Sequence, residues 1–325
     1  MPRLLKPFAE LTVDGSTVNI SPLRAIRVQR RLSGSADELR FAMALNAGLN
    51  IDQGAQVSLD LGWGNSGTTV FQGTIESLEY TLNEVHAIAC GAQKDLIQMR
   101  IDETFIDQNA GDVVQALAGK AGVQMGRVDQ GIRLAKYHAD GSATLFEHLQ
   151  ELARLCGVDV FTDDAGKVNF TKREAFTADY TLQYGINLLD ARIRHGKSAV
   201  GAIEVVPESA ASQEGDEASS WLVKNSRDIA AKEGDGGVRR FSAALCTTKG
   251  AAETAAKAYQ RDLQRRAVQG KVLIMGQPAA CPGQVVELTD MPDSANDGFY
   301  EISGVEHALD AIRGFRSTLH LWGQA

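Results

Sequence analysis

Val57, Leu59 and Leu61 alternate with Ser58 and Asp60, the period of a strand buried on one face. Phe8 to Val13 meets Asp14-Gly15, a two-residue hairpin signal, and Val18-Asn19-Ile20 returns from it. Ile26 to Arg31, Leu39 to Leu45, Thr69 to Tyr80 and Val85 to Cys90 are further strand-length runs. Residues 1–95 therefore read as a small antiparallel β unit, a barrel or a sandwich.

The period changes after Asp95. Asp112 to Lys120 carries Val113, Val114, Leu117 and Ala121 on one side and stops at Gly122, which predicts a short helix. A second helix is expected from about Ser142 to Cys156, with a stripe of Leu145, Phe146, Leu149, Leu152, Ala153 and Cys156. Thr144 and Glu147 have the spacing of a capping box. His148 falls outside that stripe and is expected in solvent. Val158–Phe161, the Asp163–Gly166 turn and Val168–Phe170 form a hairpin. Residues 96–188 thus read as an α+β insert.

Strand patterning resumes from about Leu189. Ala191–Arg194 and Ala199–Val206 are expected to pair. Ser209–Ser220 and Lys232–Gly237 read as mobile loops, which would be partner contacts if assembly orders them. Ala251–Ala267 is an Ala-rich helix by propensity. Val272–Met275, Gln284–Leu288, Tyr300–His307 and Phe315–Trp322 complete a second β unit over residues 189–325. The fold class is α+β, predominantly antiparallel β.

Composition narrows the function. The chain has 325 residues, long enough for at least two domains. Its net charge is −8, which argues against a general nucleic-acid binder. There are 32 glycines and only 7 prolines, as many tight turns between hydrogen-bonded strands require. No apolar run is long enough for a transmembrane helix or a signal peptide, so synthesis and folding in a cytoplasm are expected. Cys90, Cys156, Cys246 and Cys281 are widely spaced and read as buried thiols.

The chemical motifs are weak. Gly62-Trp-Gly-Asn-Ser-Gly67 matches GxGxxG, but a strand follows it where a dinucleotide site needs a helix. Gly196-Lys197-Ser198 lacks the upstream glycine of a phosphate loop. No histidine pair has zinc-protease spacing, no GxSxG elbow occurs, and the Asp163–Lys167 turn lacks calcium-loop oxygens. The expectation is a non-enzyme with no metal and no cofactor. Arg24, Arg27, Arg30 and Arg31 crowd one strand. They read as a solvated strand edge that discourages edge pairing, or as an interface with an acidic neighbour. Trp63, in the Gly-rich turn, and Trp221 are candidate protein contacts.

Several strings, in order, resemble the late control D or baseplate hub family of contractile-tailed phages, related to the hub portion of the type VI spike protein VgrG. They are Lys6-Pro7, Leu11–Gly15, Val70–Gly73, Ala92–Leu96, Gly141–Phe146, Gly166–Phe170, Tyr184–Leu188, Pro282-Gly283, Gly298–Ile302, Val305–His307 and Gly314–Thr318. The resemblance implies two tube-type β-barrels per chain around an inserted α+β domain. It implies a homotrimeric, pseudo-sixfold ring, synthesised in a bacterial cytoplasm, that joins a hexameric tail tube to a trimeric spike in the virion tail baseplate or an injection particle. The implied partners are the spike protein, the tail tube protein and other baseplate proteins, with DNA or effector only in transit. The lumen would carry more Asp and Glu than Lys and Arg. The chain closes at Trp322–Ala325, so the spike is expected to be a separate protein. The alternatives are a receptor- or glycan-binding β-module and a cell-wall-degrading tail enzyme.

Overall fold

The computed structural model describes residues 6–19, 23–45, 51–172, 177–197, 200–206 and 230–323. The first β unit contains β1 (Pro7–Val13), β2 (Ser16–Asn19), β3 (Leu23–Arg31), β4 (Glu38–Ala44), β5 (Gln56–Trp63), β6 (Ser66–Tyr80) and β7 (Glu84–Cys90). Asp14 and Gly15 both take positive φ between β1 and β2, which is why Asp-Gly makes that hairpin.

The centre alternates helices and short strands. α1 (Gln93–Gln98), β8 (Glu103–Asn109), α2 (Ala110–Lys120), β9 (Met125–Val128) and β10 (Arg133–Ala139) lead to α3 (Leu145–Cys156). Thr144 and Glu147 form the expected capping box, and Gly157 closes α3 at φ 69°. β11 (Asp159–Thr162) and β12 (Val168–Thr171) are the expected hairpin. β13 (Tyr180–Gln183), β14 (Leu188–His195), β15 (Ala202–Val206), β16 (Ala231–Gly234) and β17 (Val238–Ser242) follow. α4 (Lys249–Ala267), β18 (Val268–Met275), β19 (Val285–Thr289), β20 (Gly298–Asp310) and β21 (Gly314–Gly323) complete the chain.

One 13-stranded sheet, nearly all antiparallel, contains the strands of both ends. Its main order is β14-β18-β21-β20-β3-β4-β7-β6-β5-β1-β2, with β19 pairing both β20 and β13. The two ends of the sequence join where β20 pairs β3, from Gly304↔Arg31 to Asp310↔Ala25. Leu309 and Phe315 of the C-terminal strands complete the core built by β1–β7. Leu182, Val272, Val286, Ile302 and Leu319 lie in a second core. The third and largest core holds α1–α3 together with residues of β15, β16 and the first half of α4.

Four expectations change. β14 pairs with β18, whereas β15 sits in a separate sheet between β16 and β17. Lys232 and Glu233 lie in strand β16, held by β15. β3 is hydrogen-bonded on both sides, so its arginines do not mark a sheet edge. His148 is buried, with Nδ1 2.8 Å from Tyr137 Oη and Nε2 3.1 Å from the Asp140 carbonyl. β10, which covers that side of α3, carries no alternation strong enough to be expected from sequence.

Two buried arginines lock the central body to the sheet. Arg265 on α4 makes a bidentate pair with Asp159 of β11, both bonds 2.9 Å. It also meets Asp262 at 2.9 Å and Glu301 of β20 at 3.4 Å, and lies 4.4 Å over Trp322 of β21. Arg30 on β3 donates to Asp164 Oδ1 and to the Thr162 carbonyl, each at 2.7 Å, with Asp37 at 3.5 Å. Burial works against both charges, and the carboxylates overcome it and raise both guanidinium pKa values. Burial in turn raises Asp37 to about 6 despite Arg30.

Removing one partner of such a group strands the other charges. Arg265→Ala is expected to cost about 3–5 kcal/mol in urea unfolding, against under about 1 kcal/mol for truncating a surface pair such as Arg240–Glu204. His307 gives a second prediction. Burial, then the Arg30 charge, lowers its pKa to about 3. Ser317 Oγ accepts from Gln277 N–H and lies 2.8 Å from His307 Nδ1, a partner that a neutral imidazole can satisfy as donor or as acceptor. A histidine depressed on folding stabilises fully above about pH 6.5, and that share is lost as the pH falls toward 3. The stability of the native chain relative to His307→Gln should therefore fall by about 2 kcal/mol between pH 7 and pH 5. A difference independent of pH would contradict a neutral His307.

Candidate interaction surface

The β3 arginines separate by face. Ile26, Val28 and Arg30 point inward, whereas Arg27, Gln29 and Arg31 point outward. Arg30 fills the last inward slot and is 3% exposed, so no partner can reach it. Arg27 donates to Glu306 at 2.9 Å, and Gln29 reaches the same carboxylate. Arg24 stands 3.7 Å from Glu84. Arg31 is exposed and makes no ion pair among the described residues. Three of the four arginines thus remain on the surface, but they belong to the outward face of a central strand.

Trp63 ends β5 beside a Gly64–Asn65 turn, so the GxGxxG string is a β-hairpin. Its indole N–H donates to the Gly276 carbonyl at 2.7 Å, and its ring lies 5.5 Å from Phe315. Residue 276 must be glycine for this approach, because a Cβ there would stand 2.2 Å from the Phe315 ring. Trp63 therefore pins the first β unit to the C-terminal strands and is only half-buried. Trp221 and the Ser209–Ser220 loop lie outside the described residues.

The register exposes a feature that no sequence motif marks. Leu82, 94% exposed, sits with Tyr80 at the β6–β7 turn, and Leu45 follows the end of β4. Ile312, also 94% exposed, caps the β20–β21 turn. Met275 ends β18 opposite Arg316. Leu189 bulges beside Leu188↔Ile274, at the start of β14. The pairings Tyr80↔Val85, Ala44↔Glu84, Leu23↔Met43, Asp310↔Ala25 and Met275↔Arg316 put all these strand ends at one end of the sheet. Six exposed large apolar side chains, Leu45, Tyr80, Leu82, Leu189, Met275 and Ile312, thus share one rim. Tyr184, whose N–H bonds to the Thr289 carbonyl beside the start of β20, Ile186, Met99, Ile106, Val238 and Phe299 fall outside it. A concentration of exposed apolar side chains is the usual mark of a protein contact. The available signal was positional: large apolar residues at turns, where polar ones are the rule.

Among the described residues no group of three or more His, Cys, Asp or Glu side chains could hold a metal ion. No helix among them is long and apolar enough to cross a membrane.

A test of the rim is direct. Leu82→Ser with Ile312→Ser removes two side chains that pack on little, so stability should change by less than about 0.5 kcal/mol. Concentration-dependent association by light scattering should weaken. Unchanged association would remove these two positions from any contact.

A family model described as "Alg8 N-terminal domain" matches residues 32–311. No curated protein matches the chain in sequence. Solved structures match over nearly its whole length. A prophage MuSo2 43 kDa tail protein from Shewanella oneidensis is 17% identical, with a TM-score of 0.73, over 97% of this chain and 98% of that one. A tail protein from Neisseria meningitidis MC58 is 13% identical, with a TM-score of 0.76, over 98% and 97%. The E. coli c3393 protein is 10% identical, with a TM-score of 0.65, over 97% and 77%. That protein is described as a type VI secretion component with structural similarity to T4 bacteriophage tail proteins gp27 and gp5. At these identities the likeness establishes a shared fold.

Proposed function

The chain belongs to the Alg8 N-terminal domain family, and from that premise and its fold we propose that it is a structural component of a phage-type tail, a baseplate hub. The observation that carries this reading is the length of the match. Two tail proteins share the fold over 97% or more of both chains, so the likeness covers the whole architecture. The finer reading follows the late control D resemblance. In it, residues 1–95 and 189–325 act as two tube-type units around the 96–188 insert. Three chains close a pseudo-sixfold ring between a hexameric tube and a trimeric spike. Closure by rotation satisfies the edge strands β2 and β14, which otherwise invite open-ended pairing. The apolar rim suits the stacking of one ring on the next, because contacts between flat ring ends are made by strand ends and turns. The work is mechanical and needs neither a cofactor nor a reaction, and the site of action is the virion tail or a related injection particle.

Native mass by light scattering, with electron micrographs of the same sample, tests this reading. A mass of about 105 kDa, three times the 34.9 kDa chain, with ring-shaped particles is the expected result, alone or with the cognate spike protein. A chain that stays monomeric with the spike present contradicts the hub and favours a receptor- or glycan-binding module. Clearing of cell-wall suspensions would instead reveal a tail enzyme.

A further inference from the structure

Two cavities, of about 230 and 300 Å³, adjoin where α3 and α4 meet the large sheet, and they share Ser33 and Arg266. Five arginines line them: Arg31, Arg154, Arg261, Arg265 and Arg266. Three carboxylates answer these cations, Asp159, Asp262 and Glu301, and all three are engaged by Arg265. Arg31 and Arg154 are exposed and make no ion pair among the described residues. Burial, then the neighbouring Arg31, lowers the pKa of His320 on the same wall. In a chain of net charge −8 this groove is a local excess of positive charge.

The groove is also ordered before any ligand arrives. Arg266 lies 5.1 Å over the Trp322 ring, with its Nε 3.0 Å from Asp262 Oδ1. The Ser33 turn is fixed by Ser33 N–H to the Val160 carbonyl at 2.7 Å and by Gln150 Nε2 to the Ser33 carbonyl at 2.8 Å. Side chains already held in place lose little freedom on binding. Guanidinium groups match carboxylates in shape as well as charge.

We propose that this groove is a docking site for an acidic peptide segment of a partner chain, whose carboxylates pair with Arg31 and Arg154. A peptide fits better than nucleic acid. A short peptide places its charge only within the groove, whereas a long polyanion also meets the repulsion of the acidic surface around it. The proposal stands independently of the tail assignment, since it rests on charge and shape alone.

Fluorescence polarisation on the full chain, with labelled oligoglutamate at low salt, is the test. Oligoglutamine of equal length and a single-stranded oligonucleotide of equal charge are the comparisons. The expected result is salt-sensitive binding of oligoglutamate and none of oligoglutamine. Arg31→Gln with Arg154→Gln should weaken it about tenfold, the loss of charge-assisted contacts. Arg24→Gln, on a side chain 57% exposed at the other end of β3, about 23 Å along the strand from Arg31, should leave it unchanged. Thermal melting of each variant separates lost binding from lost folding. No binding of oligoglutamate, equal binding of oligoglutamine, or an unaffected double variant overturns the proposal. Preference for the oligonucleotide overturns it in favour of a nucleic-acid site.

Discussion

The pairing of β3 with β20 fixes the rest of the molecule. It brings residues 25–31 beside residues 304–310, so the two ends of the sequence share one sheet. Without it, Leu309 and Phe315 would not reach the core of β1–β7. Trp63 would not meet Gly276. Contacts across so much sequence cost loop-closure entropy, and here many side chains offset it at once.

The central body is then positioned by charge. Arg30 and Arg265 reach from opposite sides into the β11–β12 hairpin, through Asp164 and Asp159. A buried ion pair adds little net stability over a well-packed apolar contact. It discriminates strongly, however, because any other docking leaves a guanidinium buried without its carboxylate. The same arginine-rich seam opens to solvent between α3 and α4, where the cations outnumber the local carboxylates. Structural locking and the basic groove are thus two consequences of one cluster.

Much of the fold was legible. The β1–β2 hairpin follows from Asp14-Gly15, and α3 follows from its stripe and its Thr144–Glu147 cap, because each signal is local. The arginines of β3 misled for a physical reason. Alternation shows which residues of a strand share a face, but not whether the strand has one neighbour or two. His148 was misplaced because its partner, Tyr137, lies on a strand with no clear period of its own. Of the candidate surface, Trp63 was named from sequence, whereas the rim was not. Leu82, Met275 and Ile312 are far apart in sequence, and only register gathers them.

By itself the sequence determined the elements, the α+β class with its dominance of antiparallel strands, and the absence of any strong catalytic motif. These depend on hydrophobic period, turn residues and caps, which act over a few positions. Tertiary structure alone decided that both β units form one sheet, that Arg30 is interior while Arg31 is not, and that the scattered apolar turns share a rim. The reason is that strand partners and ion pairs are chosen across the whole chain, by simultaneous burial and charge neutralisation, which no local window contains.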